Sequence, residues 1–186
     1  IALSKYMESR KSRAVLVPKG YHEVVTYSFM SQEVAKKFGS FNEDLLIMNP
    51  ISSDLDVMRS SILPNLLNVV ERNNARSIKD LSIFEIGPVF NSSKIGDQTR
   101  IVAGLRAGST SRTNIYKDSR SFDFFDVRSD IYDLLKIWNI ENIEIKPNNP
   151  LIENEKKILL VENFITDKKW KWLQDQSFTF IDNKND

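Results

Sequence analysis

The sequence predicts an α+β domain in which an antiparallel β-sheet is flanked by helices. Segments with apolar residues at helical spacing alternate along the chain with segments rich in β-branched and aromatic residues. Two segments of the second kind, residues 81–90 and 100–105, are separated only by a short polar stretch, as in an antiparallel pair. Hydrophobic residues make up 41% of the chain and charged residues 27%, so the chain can bury a core.

The N-terminal part is predicted to form a helix, a strand and a second, short helix. Apolar residues recur near helical spacing over residues 2–18, and Pro18 stops that helix. Residues 21–30, YHEVVTYSFM, have the β-branched and aromatic composition of a strand with both faces covered. Ser31 is placed to cap a short helix that Gly39 ends.

The stretch NPISSDLDVMRSSILPNLL, residues 49–67, follows a predicted buried strand at residues 45–48. It reads as a polar loop that leads into a helix with Pro64 in its first turn, where the missing N–H costs nothing. The apolar stripe of this helix consists of Leu63, Leu66, Leu67 and Val70.

The sheet is predicted to continue with the antiparallel strands 81–90 and 100–105. Residues 107–121 are rich in Ser, Thr, Arg and Lys and predict an exposed loop. An amphipathic helix is predicted over residues 122–138, and a short strand over 143–146.

The composition changes near residue 150, which predicts a core over residues 1–150 and a divergent, partly disordered tail over 151–186. The tail is dominated by Lys, Asn, Asp, Ile and Leu, and the last glycine of the chain is Gly108. Within the tail, residues 157–161 favour a strand and residues 164–174 a helix.

The bulk numbers exclude several classes of function. The net charge of +1 is not that of a DNA-binding protein, and no segment reaches the roughly 20 apolar residues that a membrane span needs. The absence of cysteine excludes disulfides and thiol nucleophiles and fits a reducing, cytoplasmic location. The single histidine, His22, leaves little material for a zinc site, and the start at Ile1 is expected for a piece of a longer chain.

Arg59 and Glu85 are the pair of residues that the sequence singles out. Glu85 lies in an apolar strand, and a buried carboxylate needs a partner because an uncompensated charge costs several kcal/mol. Arg59, in the loop before the helix, has the forked guanidinium that could supply one. An internal ion pair is the favoured interpretation, and substrate binding is the alternative.

Other candidate residues have simpler structural explanations. His22 has no visible catalytic partner in the sequence. Asp54 and Asp56 could bind Mg²⁺, but aspartate is also common in turns. A further row of carboxylates is typical of a helix N-terminus, where the dipole favours negative charge. It consists of Asp123, Asp126 and Asp130. The basic and aromatic residues 168–172 resemble an RNA-binding pattern, although the cluster is short.

The blocks GYHEVVTYSFM, NPISSDLDVMRSSILPNLL, LSIFEIGPVF and FDFFDVRSDIYDLL occur in the order and spacing of one known family. Over residues 1 to about 150 the chain resembles the catalytic-like core of the bacterial phenylalanyl-tRNA synthetase beta subunit. The resemblance implies the fold of class II aminoacyl-tRNA synthetases. It also implies a degenerate copy of the alpha subunit's catalytic domain within an α2β2 assembly.

The resemblance implies that this core is not catalytic. An active class II enzyme carries an arginine for the ATP α-phosphate just after the strand that corresponds to LSIFEIGPVF. This chain instead continues with Asn91, Ser92 and Ser93, and the glycine-rich ATP-binding strand is missing. ATP and Mg²⁺ are therefore expected in the partner alpha subunit, with no cofactor or metal in this chain.

The resemblance also implies partners. The first helix and strand occupy the place of the family's subunit-interface motif, so they are expected to face the alpha subunit, and tRNA(Phe) is expected to bind through the complex. The interface residues expected are Leu3, Tyr6, Met7, Tyr21, Val25 and Tyr27.

The tail departs from the family pattern, which continues with a His-Pro-Gly block and a Gly-containing hairpin. Here the sequence is LIENEKKILLVENFITDKKW, which suggests translation of AT-rich DNA out of frame. The second hypothesis is therefore a decayed or split-gene remnant, or a free-standing binding module without a synthetase role. An independent enzyme is a distant third hypothesis.

Overall fold

A computed structural model describes residues 2–38, 41–110, 119–139, 143–146, 159–164 and 179–182. Helices and strands alternate along the chain, which confirms the predicted α+β class. The helices are α1 (Ala2–Leu16), α2 (Gln32–Lys37), α3 (Leu63–Asn74) and α4 (Phe124–Ile137), with a 3₁₀ turn at Glu43–Leu45. The strands are β1 (His22–Glu23), β2 (Phe29–Met30), β3 (Val57–Met58), β4 (Leu81–Phe90), β5 (Gln98–Ala107), β6 (Ile143–Lys146), β7 (Leu159–Phe164) and β8 (Thr179–Asp182).

The main sheet among these residues has the strand order β1-β4-β5-β7. Strands β4 and β5 pair antiparallel over their full length, from Leu81 opposite Ala107 to Phe90 opposite Gln98. Strand β7 adds antiparallel to β5, while β1 lies parallel to β4. The predicted antiparallel pair is confirmed, and β5 extends two residues further at each end than predicted.

The alternation of side chains along β4 and β5 divides the core into two layers. On one face, Ile83 and Leu105 pack with Ile62 and Leu66 at the start of α3. On the other face, Phe84 packs with side chains from α1 and α4, in the cluster of Leu16, Tyr21, Ile86, Val102 and Leu134. Because Glu85 alternates with Phe84, it lies on the α3 face.

Two strand predictions are wrong: one differs in extent, and the other strand is not formed. Residues 21–30 form β1 and β2 rather than one strand, because the backbone of Thr26 and Tyr27 bonds to side chains instead of to a neighbouring strand. Residues 45–48 do not form a strand: Asn42 caps a 3₁₀ turn at Asp44, and only Leu46 makes an isolated bridge to Val57.

The predicted helix starts and ends agree more closely with the structure than the predicted strands do. The hydroxyl of Ser31 accepts a bond from the Val34 amide at the start of α2, as predicted. Pro64 lies in the first turn of α3, and α1 ends two residues earlier than predicted. Asp123 and Asp126 form a capping box at α4, in which each side chain accepts a bond from the other residue's backbone N–H.

The C-terminal part is described only as short strands. The strand predicted at 143–146 matches β6, which pairs with β8, and the strand predicted at 157–161 overlaps β7. Apart from its first residue, the helix predicted over 164–174 lies outside the described residues. In the part of the chain that is described, no helix is long and apolar enough to span a membrane.

Candidate functional site

Arg59 and Glu85 form an ion pair in the interior, with 2.8 Å between Nη1 of Arg59 and Oε1 of Glu85. Arg59 is 1% exposed and Glu85 is 2% exposed. The structure therefore brings together the two residues that the sequence singled out. A pair this far from water is strongly sensitive to loss of either partner, since the remaining charge would stay buried alone.

The Arg59 guanidinium also bonds to the backbone and side chains around it. Its Nε donates to the carbonyl of Pro88 at 2.9 Å, and its Nη1 donates to Oγ1 of Thr26 at 2.9 Å. The Arg59 backbone N–H donates to Ser28, and its carbonyl accepts from Phe90. Arg59 thus ties strand β4 to the segment that connects β1 and β2.

Glu85 holds the same segment from the sheet side. Its Oε2 accepts from Oγ1 of Thr26 at 2.7 Å and from the Thr26 amide at 3.3 Å. Nδ2 of Asn65, on α3, donates to the carbonyl of Tyr27 at 2.8 Å. We call Thr26, Arg59, Asn65 and Glu85 the polar cluster.

The polar cluster decides which side chains of residues 24–28 face outward. Thr26 points inward to Arg59 and Glu85, and burial alternates along residues 24–28, so its two neighbours project to the opposite side. Val25 is 90% exposed and Tyr27 is 72% exposed. Two large apolar side chains on one extended segment are typical of a surface that another molecule covers.

Gly87 leaves the space that the Arg59 guanidinium occupies. A Cβ at Gly87 would overlap Nη2 of Arg59 and lie 3.1 Å from Oε1 of Glu85. No side chain can be added there without displacing the ion pair.

We expect Gly87→Ala to lower the free energy of unfolding by about 1–3 kcal/mol, the usual cost of overpacking a core. Urea unfolding followed by circular dichroism measures this loss. Gly104→Ala is the matched control in β5, because a Cβ there meets only ordinary contacts at 3.5 Å or more. An equal loss in both variants would contradict the assigned role of Gly87.

A second buried ion pair lies on the opposite face of the sheet, and the sequence reading missed it. Nε of Arg106 donates to Oδ2 of Asp130 at 2.7 Å, and the Tyr21 hydroxyl donates to the same oxygen at 2.7 Å. The guanidinium of Arg106 lies 4.3 Å from the ring centroid of Tyr21 and 4.7 Å from that of Phe122. Lys19 reaches the other oxygen of Asp130 at 3.1 Å.

Helical spacing could have revealed that Asp130 is buried. Asp130 lies three residues after Val127 and four before Leu134, which places it on the buried face of α4. Of the three aspartates read as a charge cluster at the helix start, only Asp123 and Asp126 cap the helix. The prediction for Asp130 is wrong because that residue lies two turns into the helix and is buried.

Burial and the adjacent Asp130 carboxylate raise the pKa of the Tyr21 hydroxyl far above its ordinary value of about 10. A raised folded-state pKa stabilises the fold below the unfolded-state pKa, and that contribution is lost as pH rises beyond it. We therefore expect the free energy of unfolding to fall more steeply above pH ~10 in the parent than in Tyr21→Phe. Urea titrations from neutral to alkaline pH measure the two slopes, and parallel curves would contradict the assignment.

The expected interface residues fall into three groups. Tyr21 is 4% exposed and belongs to the core, so its prediction as an interface residue is wrong: its ring packs on Arg106 and its hydroxyl is bound by Asp130. Val25 and Tyr27 are available at the surface. The remaining three lie on α1 with side chains outside the described part of the structure: Leu3, Tyr6 and Met7.

The candidate metal and catalytic residues do not converge. His22 is exposed in β1, and Oδ1 of Asp56 accepts from the Gln32 amide at 2.7 Å, a structural bond at the start of α2. Among the described residues, no group of three His, Asp or Glu side chains is placed to hold a metal ion. Residues 168–172, read as a basic and aromatic cluster, lie outside the described residues.

Asn91 directly follows β4, at the position where the resemblance places an arginine in active enzymes. Its Nδ2 donates to Oδ1 of Asp97 and to Oγ1 of Thr99, and its carbonyl accepts from Asn42. The carboxamide is thus used to hold the short turn between β4 and β5.

The fold is that of class II aminoacyl-tRNA synthetases. A pyrrolysyl-tRNA synthetase from Desulfitobacterium hafniense matches with a TM-score of 0.57 and 14% identity, over 84% of this chain and 55% of that one. A histidine–tRNA ligase subunit from Alicyclobacillus acidocaldarius matches with a TM-score of 0.58 and 12% identity, over 77% and 40%.

Residues 3–154 match the family described as the phenylalanyl tRNA synthetase beta chain CLM domain, and the chain belongs to this family. The phenylalanine–tRNA ligase beta subunit of Ehrlichia ruminantium is 45% identical over 131 residues. That of Rhodospirillum rubrum is 44% identical over 119 residues. The matches cover 70% and 64% of this chain but only 17% and 15% of those relatives.

Proposed function

We propose that the chain is a non-catalytic structural core of a phenylalanyl-tRNA synthetase beta subunit. In this role it supports the alpha subunit, which attaches phenylalanine to tRNA(Phe) with ATP in the cytoplasm. The proposal rests on what the two buried arginines bind. Arg59 and Arg106 are both bound to internal carboxylates, Glu85 and Asp130, and so hold the sheet together instead of facing a substrate.

The end of β4 supports the non-catalytic part of the proposal. An enzyme that forms an adenylate needs a cation where charge develops on the phosphate, and Asn91 has none to offer. Its carboxamide is already bound to Asp97 and Thr99. ATP and Mg²⁺ would then be held by the alpha subunit.

Residues 24–28, which we call the exposed segment, support the proposal that this chain binds a partner subunit. Val25 and Tyr27 are held outward by bonds to the inward groups of the same segment, so the surface is formed before any partner arrives. A surface that needs no rearrangement loses less entropy on binding. In this role, tRNA(Phe) would reach the chain only within the complex.

A free-standing remnant or binding module is the second candidate. The observation that favours it is the end of the family match at residue 154, in a chain that continues to residue 186. The two candidates differ in whether the chain still binds a synthetase subunit.

Phenylalanine-dependent exchange of pyrophosphate into ATP tests the non-catalytic role. We expect no exchange above background for the chain alone, and exchange by the alpha subunit when it is assembled with a full beta subunit. Exchange by this chain alone, abolished by substitutions around Asn91, would contradict the proposal.

A further inference from the structure

Two strands of the described structure lie beyond the end of the family match at residue 154. Strand β7 pairs antiparallel with β5, from Leu159 opposite Arg106 to Phe164 opposite Ile101. Strand β8 pairs antiparallel with β6. Both strands therefore add to strands of the family domain, although they lie outside the residues that match it.

Strand β5 needs a neighbour on the side that faces away from β4. Ile101, Val102 and Leu105 are at most 2% exposed, so this strand belongs to the core. A strand with an unpaired edge presents a row of free N–H and C=O groups, which is a template for pairing with another chain. Strand β7 covers this edge over six register pairs.

The hydrogen-bond ladder shows which backbone groups of β5 face β7. The Phe84 carbonyl accepts from the Val24 amide, so the polar backbone groups of Phe84 point to β1 and away from β5. Phe84 lies opposite Gly104, and an antiparallel ladder alternates hydrogen-bonded with non-hydrogen-bonded pairs. The N–H and C=O of Gly104 therefore point to β7, where Val161 is the opposite residue. The same alternation assigns the other residues of this stretch: those that face β7 are Val102 and Arg106, and those that face β4 are Ala103 and Leu105.

Recognition at a strand edge uses the backbone, so it tolerates a change of sequence. When a strand adds to a sheet, main-chain hydrogen bonds supply the affinity, and the side chains have only to fit a pleated surface. Residues 159–164, LLVENF, contain no proline that would remove a donor and no glycine that would weaken the strand. A segment outside the family match can therefore occupy the edge of β5.

We propose that the edge of β5 is a strand-acceptor site and that residues 159–164 are its occupant, which a separate peptide of the same sequence can replace. The tail then completes the sheet and keeps this edge from pairing with other chains. The inference does not depend on the proposed function, because it concerns the fold of this chain alone. It also gives a role to residues that the remnant hypothesis leaves without one.

Proline substitutions at two neighbouring positions of β7 test the proposal in the full chain. The N–H of Val161 faces Gly104, so Val161→Pro removes a donor from the ladder. The N–H of Glu162 points away from β5, so Glu162→Pro places the same ring in the same strand without removing a bond to β5. Amide hydrogen exchange followed by NMR measures each residue of β5 separately.

The expected result is a loss of protection at every second residue of β5. In Val161→Pro, the amides of Val102 and Gly104 are expected to exchange about tenfold faster or more than in the parent, since they pass from a ladder to an open edge. The amides of Ala103 and Leu105 donate to β4 and are expected to remain protected. Glu162→Pro is expected to match the parent at all four positions.

A peptide of residues 157–166, KILLVENFIT, tests the acceptor site itself. Added to the Val161→Pro chain, it is expected to restore slow exchange at Val102 and Gly104, whereas the same peptide carrying Val161→Pro is not. If Val161→Pro speeds exchange along the whole of β5, Leu159→Pro at the first residue of the strand takes its place. The expected effect of Leu159→Pro is confined to the amide of Arg106, which lies opposite.

Each outcome decides the proposal. Equal exchange rates in the two proline variants would show that β7 does not hold this edge, and the inference would be wrong. A loss of protection that the peptide does not restore would also overturn it, because the edge would then accept no separate strand. Selective loss followed by restoration supports it. Binding to an alpha subunit is not measured here, so the proposed function is tested separately.

Discussion

Replacing Arg59 by methionine is expected to lower the free energy of unfolding by about 3–5 kcal/mol, the cost of leaving a buried charge without its partner. Methionine keeps an unbranched, flexible stem like that of arginine but has none of its hydrogen-bond donors. Glu85, 2% exposed, would lose its counter-charge, and the carbonyl of Pro88 would lose its donor. Equilibrium unfolding in urea measures the loss, provided that the transition remains two-state.

Arg100→Met is the matched control for this prediction. Arg100 lies on β5 opposite Pro88 and is exposed, so the same substitution there is expected to change stability by no more than about 0.5 kcal/mol. If the two variants unfolded at the same urea concentration, Arg59 would not be the internal anchor of this sheet.

Replacing Asp130 by asparagine is expected to have the second large effect, also about 3–5 kcal/mol, because it removes the charge that Arg106 faces. The guanidinium would remain between the rings of Tyr21 and Phe122 without a carboxylate. Asparagine preserves the shape, so the loss reports on charge rather than on packing. Thermal and urea unfolding both measure it.

Asp133→Asn serves as the control on the same helix. The side chain of Asp133 is 50% exposed and contacts Lys19 at 2.6 Å. An exposed pair contributes at most about 1 kcal/mol, so this variant is expected to remain close to the parent. A loss as large as that of Asp130→Asn would show that solvent exposure does not separate the two carboxylates.

The pair of Arg59 and Glu85 could be predicted because its signal is local. A single carboxylate in the strand LSIFEIGPVF has no charged neighbour, and burial makes a partner obligatory. The choice of Arg59 depended on the position of the loop before α3, which the sequence indicates through Pro64. The long strands β4 and β5 could be predicted for a similar reason, since their apolar runs leave few alternatives.

The second ion pair, between Arg106 and Asp130, could not be predicted from local sequence in the same way. Arg106 ends an apolar strand, where a charge is ordinary, and Asp130 belongs to a helix that already carries two capping aspartates. Only the packing of α4 on the sheet brings the two together. The pairing therefore depends on tertiary structure, although the apolar neighbours of Asp130 in α4 show that it is buried.

The exposed segment differs from its prediction for a related reason. Residues 21–30 have strand composition, but at Thr26 and Tyr27 their polar backbone groups are bound by the side chains of Glu85 and Asn65. Side-chain partners replace the neighbouring strand, and a propensity scale does not represent them. The same bonds turn Val25 and Tyr27 outward, which composition alone does not reveal.

Co-expression of this chain with the alpha subunit of the same organism, followed by size-exclusion chromatography, tests the supporting role most directly. We expect the two chains to elute together at a defined stoichiometry, and Tyr27→Ala to separate them without lowering the thermal midpoint of the chain. Elution of a folded chain apart from the alpha subunit would contradict the supporting role and leave the remnant as the better account.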